Sequence, residues 1–318
     1  MSSIMITLKM FLFLLSVAAI WFFISQQFLA ADWLQFQDQR LCACEKCLLE
    51  DPLLFNSSFN SSVEPFLCAE HNLTEDAFYW WKEIQLEKCN FSVYEATVKK
   101  IFETFPPRPD LPELRPDRCR TCAVVGNSVN LKRSHYGPLI DHQDVVIRVN
   151  AAPIKGYEAD VGTRTTHHVM YPESAVDLDN TTHLVLFPFK ISDLMWLIKA
   201  FTTGFSGVSY APIKSKVQAN KDLVMVLSPA FMKYIHDLWL EKEGSYPSTG
   251  FMALILALHI CDEVHVFGFG ADSKGRWSHY WEKLKDKEFK TGVHPGHHEY
   301  NVIQQLAENK IITFYKGQ

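Results

Sequence analysis

The sequence predicts an α/β fold: a largely parallel sheet with helices on both faces, preceded by a single N-terminal transmembrane helix. Three observations carry this reading. Short β-branched runs alternate with helical stretches from about Cys122 onward, the pattern of strand–helix–strand units packed into a covered sheet. Three strand ends carry small or amide residues (Gly126-Asn127-Ser128, Asn150 and Gly268-Phe269-Gly270), and ligands of such sheets lie beyond the carboxyl ends of the strands. Met10–Ser25 is uncharged and almost wholly apolar.

In chain order, the first element is that apolar zone. Its unbroken length falls just below the roughly 20 residues of a usual span, and Lys9 and Gln26–Gln27 interrupt its flanks. Lys9 before it, and Asp32 and Asp38 after it, favour a cytosolic N-terminus and a lumenal body. A cleaved signal peptide ending near Ala30–Ala31 is the rival reading, but bulky Trp21, Phe22 and Phe23 fill the end where small residues belong. The expected division is a tail over 1–9, a signal-anchor over 10–27, a short stem over 28–41 and a lumenal domain over 42–318.

With 318 residues, 47% hydrophobic and 21% charged, the chain has enough material for a substantial core. A net charge of −5 gives no basic footprint for nucleic acid. Asn56, Asn60, Asn72, Asn90 and Asn180 each begin an N-x-Ser/Thr acceptor, which suits a glycosylated lumenal protein. Eight cysteines in an oxidising compartment read as disulfides. Cys42, Cys44 and Cys47 are spaced closely enough to suggest zinc, but no matching Cys-x-x-Cys partner follows.

The region from Cys42 to Glu103 is aromatic and sequon-rich, with a helical stretch over Glu75–Lys88. Phe105–Pro116 is too rich in proline for a helix and reads as an ordered connection. Strands are then expected at Ala123–Val125, Val145–Val149, Val169–Tyr171, His183–Phe189 and Leu223–Leu227. Helices are expected from Ser192 to about Phe201 and over Ala230–Leu240. A polar turn, Ser248-Thr249-Gly250, opens an almost wholly apolar helix to His259, followed by strand Val264–Phe269. Helix starts gather free N–H groups and favour anions. Helix Glu299–Asn309 and strand Ile311–Tyr315 close the chain.

Two of these stretches carry a resemblance. Cys122–Tyr171 (CAVVGNSVNLKRSHYGPLIDHQDVVIRVNAAPIKGYEADVGTRTTHHVMY) and Ser248–Gly270 (STGFMALILALHICDEVHVFGFG) resemble the long and short sialylmotifs of animal sialyltransferases. His279–Glu282 (HYWE) resembles the third motif, and His294-x-x-x-x-Glu299 the very short one. The flanking text is similar to the β-galactoside α-2,3-sialyltransferases acting on Galβ1-3GalNAc. The likeness covers about Cys119 to the end and is weak from Phe55 to Arg118, the region expected to shape acceptor choice.

The resemblance implies a Rossmann-like fold of variant glycosyltransferase A type. It implies a type II Golgi membrane enzyme with a lumenal catalytic domain. It further implies CMP-sialic acid as donor, a galactose-terminated glycoprotein or glycolipid as acceptor, inversion at the anomeric centre, and no metal or other cofactor. His294 is then the general base, since a neutral imidazole can take a proton from a sugar hydroxyl near neutral pH. His279 lies against the departing phosphate, where a cationic or donating ring stabilises charge. Asn127, Asn130 and Asn150 offer donors and acceptors to cytidine and ribose. Tyr210 and Tyr246 match tyrosines of the donor site. Ser248, Thr249 and Gly250 supply hydroxyl and N–H groups to an anion, and Gly268 and Gly270 allow close approach. Glu299 orients its loop or caps the following helix. The resemblance also implies disulfides Cys122–Cys261, Cys42–Cys47 and Cys44–Cys119, which leaves Cys68 and Cys89 to pair.

Val129 stands where relatives commonly have glycine, and a β-branched residue resists positive φ, so the local turn is expected to differ. Asp177-Leu178-Asp179 has the form of a metal-binding DxD, but a donor with one phosphate needs a metal less, and the triplet adjoins the Asn180 sequon. A non-catalytic lumenal protein that binds glycan or nucleotide on the same fold is the alternative function.

Overall fold

The structure, a computed structural model, describes residues 17, 19–27, 41–55, 58–70, 74–109, 111, 115–282 and 291–317. Seven strands form its sheet: β1 (Thr121–Val125), β2 (Val145–Val149), β3 (His167–Met170), β4 (His183–Leu186), β5 (Val224–Val226), β6 (Glu263–Phe267) and β7 (Thr313–Tyr315). Their order is β5-β4-β3-β2-β1-β6-β7, and every neighbouring pair is parallel. The principal helices are α1 (Glu75–Ile84), α2 (Phe91–Thr104), α3 (Gly137–His142), α4 (Ile191–Ala200), α5 (Pro229–Tyr234), α6 (Thr249–Ile260) and α7 (Gly296–Glu308). The expected strands are all present, with ends displaced by up to three residues. The expected helix Ala230–Leu240 is split, with α5 passing into one π turn over Ile235–Trp239.

Alternate residues of the central strands enter two separate cores, which is the consequence of a two-residue side-chain period in a sheet covered on both faces. Cys122, Val124, Val145 and Ile147 face the larger core, while Ala123, Val125 and Val146 face a smaller one closed by Ile140 of α3, Leu131, Phe267 and Tyr280. α6 is apolar all round because it lies inside the larger core, packed on β1, β2 and β6. That core also contains Phe78 and Trp81 of α1, Ile101 of α2, Phe231 of α5 and Ile303 of α7, so every residue from Phe251 to Leu258 is buried.

β1 pairs with β2 on one side and with β6 on the other, so the strand order reverses at this point. Such a reversal opens a crevice at the carboxyl ends, where the flanking connections leave in opposite directions. The disulfide Cys122–Cys261 ties the start of β1 to the residue after α6, and Cys42–Cys47 and Cys44–Cys119 join the entry segment to the chain just before β1.

The pairing of Cys68 with Cys89 does not hold: both are free thiols. Cys68 lies near Arg108, beside the segment bridged to Leu227, whereas Cys89 has Glu87 and Lys82 around it. Asn60, Asn90 and Asn180 are exposed, and Asn56 and Asn72 lie outside the described residues. Residues 19–27 are helical; most of the expected anchor and stem lies outside the described residues. Among the described residues no helix is long and apolar enough to cross a membrane.

Candidate functional site

The crevice begins where β1 and β6 end. The strand ends approach so closely that a Cβ on Gly126 would stand 2.4 Å from the Gly268 carbonyl oxygen. Gly268 itself has φ +73°, a left-handed backbone that glycine takes without strain. The next residues lace the two ends together. Ser128 N–H donates to Gly268 O, and Ser128 Oγ donates to Gly270 O at 2.7 Å. Ser128 also forms a bridge with His279, so the third motif lies alongside the first strand end. Val129 enters a 3-10 turn, capped by Ser128 Oγ, without positive φ. Valine therefore sits in this turn without backbone strain.

The three asparagines each spend part of their amide on the protein. Asn127 Nδ2 donates to Val149 O, while its Oδ1 is buried without a partner. Asn130 Nδ2 donates to the carbonyls of Phe269 and Ala271, which leaves Oδ1 as the group it could offer a ligand. Asn150 sits at φ +59°, a conformation asparagine tolerates, and its Oδ1 accepts from Ser174 Oγ. A buried amide oxygen with no partner is costly unless something comes to meet it. His279 stacks on Trp281 at 4.6 Å with the rings 6° apart, and its Nδ1 lies 2.9 Å from Glu282 Oε2. Tyr280 anchors the segment by donating from its hydroxyl to Pro153 O.

The second half of the site is the head of α6. Ser248 caps the helix by accepting from Phe251 N–H, and its own N–H and Oγ both donate to Glu299. Ser248 is therefore committed to the protein, and the first-turn amides of Thr249 and Gly250, which have no intrahelical acceptor, are what remains for an anion. His294 Nδ1 lies 3.1 Å from Tyr246 O. A carbonyl can only accept, so Nδ1 carries the hydrogen and the neutral ring keeps a bare lone pair on Nε2. Burial holds His294 below the usual imidazole range, which favours that neutral form. The Tyr246 ring packs edge-on against the imidazole at 5.0 Å.

His294, Tyr246, Thr249 and Tyr210 line one cavity of about 200 Å³. Tyr210 and Tyr246 thus lie around His294. Gln85, Tyr171, Glu173, Phe189 and Lys190 complete the wall and were not foreseen. Tyr171 follows β3, and Phe189 and Lys190 lie shortly beyond β4, so the carboxyl-end rule alone could have pointed to them. Gln85 comes from the region of weak resemblance and reaches the Tyr246 hydroxyl at 3.4 Å. Lys190 is held 2.9 Å from both Glu173 and Asp193, and burial pushes Asp193 up to about 6 despite that ammonium. Hollows of about 390 and 450 Å³ lie elsewhere, beside Cys68 and along α7, so volume alone does not locate the site.

The DxD carboxylates have local work. Asp177 pairs with Lys214 and accepts from Gln218 N–H, and Asp179 accepts from Thr181 and Thr182.

The chain is similar to known proteins over most of its length. The family model for glycosyltransferase family 29 (sialyltransferase) matches residues 66–311. CMP-N-acetylneuraminate-beta-galactosamide-alpha-2,3-sialyltransferase 1 of Gallus gallus is 45% identical over 286 residues, 88% of this chain and 83% of that protein. The sialyltransferase 2 of the same description from Mus musculus is 44% identical over 87% of this chain and 81% of its own length. The crystal structure of a mammalian sialyltransferase superposes with a TM-score of 0.80 at 46% identity, covering 88% of this chain and all of that one. Another, in complex with Gal-beta-1-3GalNAc-ortho-nitrophenol, gives 0.78 at 44% identity over 87% of this chain and all of its own.

Proposed function

The chain belongs to glycosyltransferase family 29, the sialyltransferases, and from that membership we propose that it transfers sialic acid from CMP-sialic acid to O3 of a terminal galactose in Galβ1-3GalNAc. The observation that carries the mechanism is His294 Nδ1 held by Tyr246 O, which leaves Nε2 free to accept a proton. Nε2 takes the galactose O3 proton as O3 attacks the anomeric carbon of sialic acid. The bond from that carbon to the phosphate oxygen breaks, its electron pair leaves with CMP, and the centre inverts. Positive charge grows on the sugar and negative charge on the phosphate, so His279 and the Thr249 and Gly250 amides act where charge develops. Asn127, Asn130 and Asn150 hold cytidine and ribose, and Gly268 and Gly270 let the nucleotide lie close to the strand ends.

Tyr210 and Tyr246 stand where the two sugars would meet, and Gln85 reads the acceptor. The acceptor choice is supported by the disaccharide carried by a solved relative. The reaction runs without a metal: the donor has one phosphate, and Asp177 and Asp179 are spent on local contacts. The expected apolar span, stem and sequons support a type II Golgi enzyme with its catalytic domain in the lumen.

The test is incubation with CMP-sialic acid and Galβ1-3GalNAc, followed by linkage analysis of the product. A 2,3-linked product that disappears in His294→Ala is expected. A different linkage, or no product under conditions where a relative is active, would overturn the acceptor reading.

A further inference from the structure

Residues 244–246 run beside the loop that carries His294, with one contact from each residue. Gly244 packs on the Pro295 ring, where an added Cβ would stand 2.5 Å from Cδ. Ser245 N–H donates to Val293 O, and Tyr246 O accepts from His294 Nδ1, both at 3.1 Å. His294 and its two neighbours are thus placed by this short segment. The segment is held at its head by His236, whose Nε2 lies 3.3 Å from Gly244 O. His236 is buried in the π turn that follows α5, with the Trp80 ring of α1 at 5.3 Å. Single π turns recur at functional sites. The connection from that turn takes left-handed backbone at Glu241 (φ +50°), Lys242 (φ +67°) and Gly244 (φ +70°). Such backbone is costly for glutamate and lysine and persists where the surroundings enforce it. Lys242 N–H donating to His236 O at 2.9 Å is one restraint, and the ring on Gly244 O is another.

The partners of the His236 ring define the form that can hold both. Nδ1 faces Asp237 Oδ1 at 3.2 Å, and Lys233 Nζ lies 2.6 Å from Asp237 Oδ2, which keeps that carboxylate ionised. A carbonyl and a carboxylate both accept, so the ring satisfies both only with a hydrogen on each nitrogen. In the neutral ring the single hydrogen stays with the carboxylate, the stronger partner, and Gly244 O is left facing a lone pair. From α1, Asp76 reaches Lys233 at 3.3 Å. Glu241, Lys242 and Glu243 of the connection are exposed, and His298 of α7 lies 3.5 Å from Glu243. We propose that His236 is a positioning residue for transfer: doubly protonated, it clamps Gly244 and, through residues 244–246, fixes His294 in its working place. The proposal rests on the reading of His294 as the general base.

The test measures kcat, KM for CMP-sialic acid and their pH dependence in the full chain. His236→Phe keeps a ring against Trp80 and removes the donor. Its kcat is expected to fall about tenfold, within the roughly 10²-fold that a misplacement of about 1 Å can cost, with donor KM nearly unchanged. His236→Gln, whose amide can donate to Gly244 O at any pH, should recover most of that loss. Wild-type kcat should decline as rising pH takes the second hydrogen from the ring, and the Gln variant should lack that alkaline limb. Asp237→Asn should lack it too, because its amide can donate to Nδ1 and leave the ring hydrogen on Nε2. Equal losses in the Phe and Gln variants at equal melting temperature overturn the clamp. So does an effect carried by donor KM, or an alkaline limb unchanged in His236→Gln. If His236→Phe does not fold, the pH profiles of the Gln and Asn variants decide. If the wild type transfers no sialic acid, the transferase reading has failed, and nitrogen NMR of the His294 ring still decides the clamp. The Nδ1-protonated form should then dominate in wild type and His236→Gln and give way to a mixture in His236→Phe; identical spectra overturn it.

Discussion

Glu299 grips Ser248 with both carboxylate oxygens: Oε1 accepts the Ser248 N–H and Oε2 accepts Oγ, each at 2.6 Å. The residue five places beyond His294 is thereby fastened to the cap of α6. Removing it in Glu299→Ala strands a buried N–H and loosens both halves of the site, with an expected cost of roughly 1–3 kcal/mol and a fall in kcat. Thermal unfolding and steady-state kinetics on the same variant check this. Burial pushes Glu299 up to about 7. A raised carboxyl pKa contributes stability that is full below the ordinary value of 4.5 and is lost as pH rises through about 7. Glu299→Gln, which cannot ionise, should flatten that slope.

His294→Ala is expected to lower transfer by roughly 10²–10⁴-fold, the usual range for a positioned base. CMP binding, measured by calorimetry, should persist. Loss of both together would mean that the histidine holds the donor instead.

The acid limb of the pH–rate profile follows from the same ring. Burial places His294 below 6.5, so the neutral base persists at that pH and activity should fall only as pH drops further. An acid limb centred above 6.5 would contradict the desolvated ring. A separate loss of stability on the acid side is expected from His167, which burial beside His183 holds at about 3. Its folded-state pKa is depressed, so stability declines as pH falls from 6.5 towards 3.

Gly126→Ala should destabilise the domain by about 1–3 kcal/mol, because its Cβ would meet a backbone oxygen that cannot swing away. Ala at Gly275, where nothing lies within 4 Å, is the control for volume, although its φ of +74° adds local strain. Denaturant melts of the two variants separate crowding from backbone preference.

EDTA should leave the rate unchanged. Asp177→Ala should do the same and cost under about 1 kcal/mol, since its pair with Lys214 is exposed. A loss of activity that manganese restores would return the triplet to the site.

The central strands and α6 were legible because β-branched runs and an unbroken apolar stretch have few other uses. α2 was missed for a physical reason. Its Val93, Thr97, Val98 and Ile101 are weak helix formers, and tertiary packing of Val98 and Ile101 decides the matter. Its Asn90, read as a glycan acceptor, also caps the helix by accepting from Val93 N–H. At the site, His279, His294 and the asparagines are proposed from motif order alone. Gln85, Tyr171 and Lys190 were not legible, because only the folded sheet brings their segments together. Cys68 and Cys89 were joined by elimination, which takes no account of what each thiol faces.

The position of β1 between β2 and β6 sets a schedule for making the protein. Emerging from the ribosome, β1 can pair with β2 almost at once, but its other edge waits for a strand roughly 140 residues later, and Cys122 waits 139 residues for Cys261. At about 5–20 residues per second, that is about 7–28 s during which a central strand has an open edge. The Gly126–Gly268 approach that closes the crevice cannot form until then. Chains truncated before β6 therefore carry five of the seven strands and an incomplete crevice, and should be clients of the quality-control machinery rather than weak enzymes.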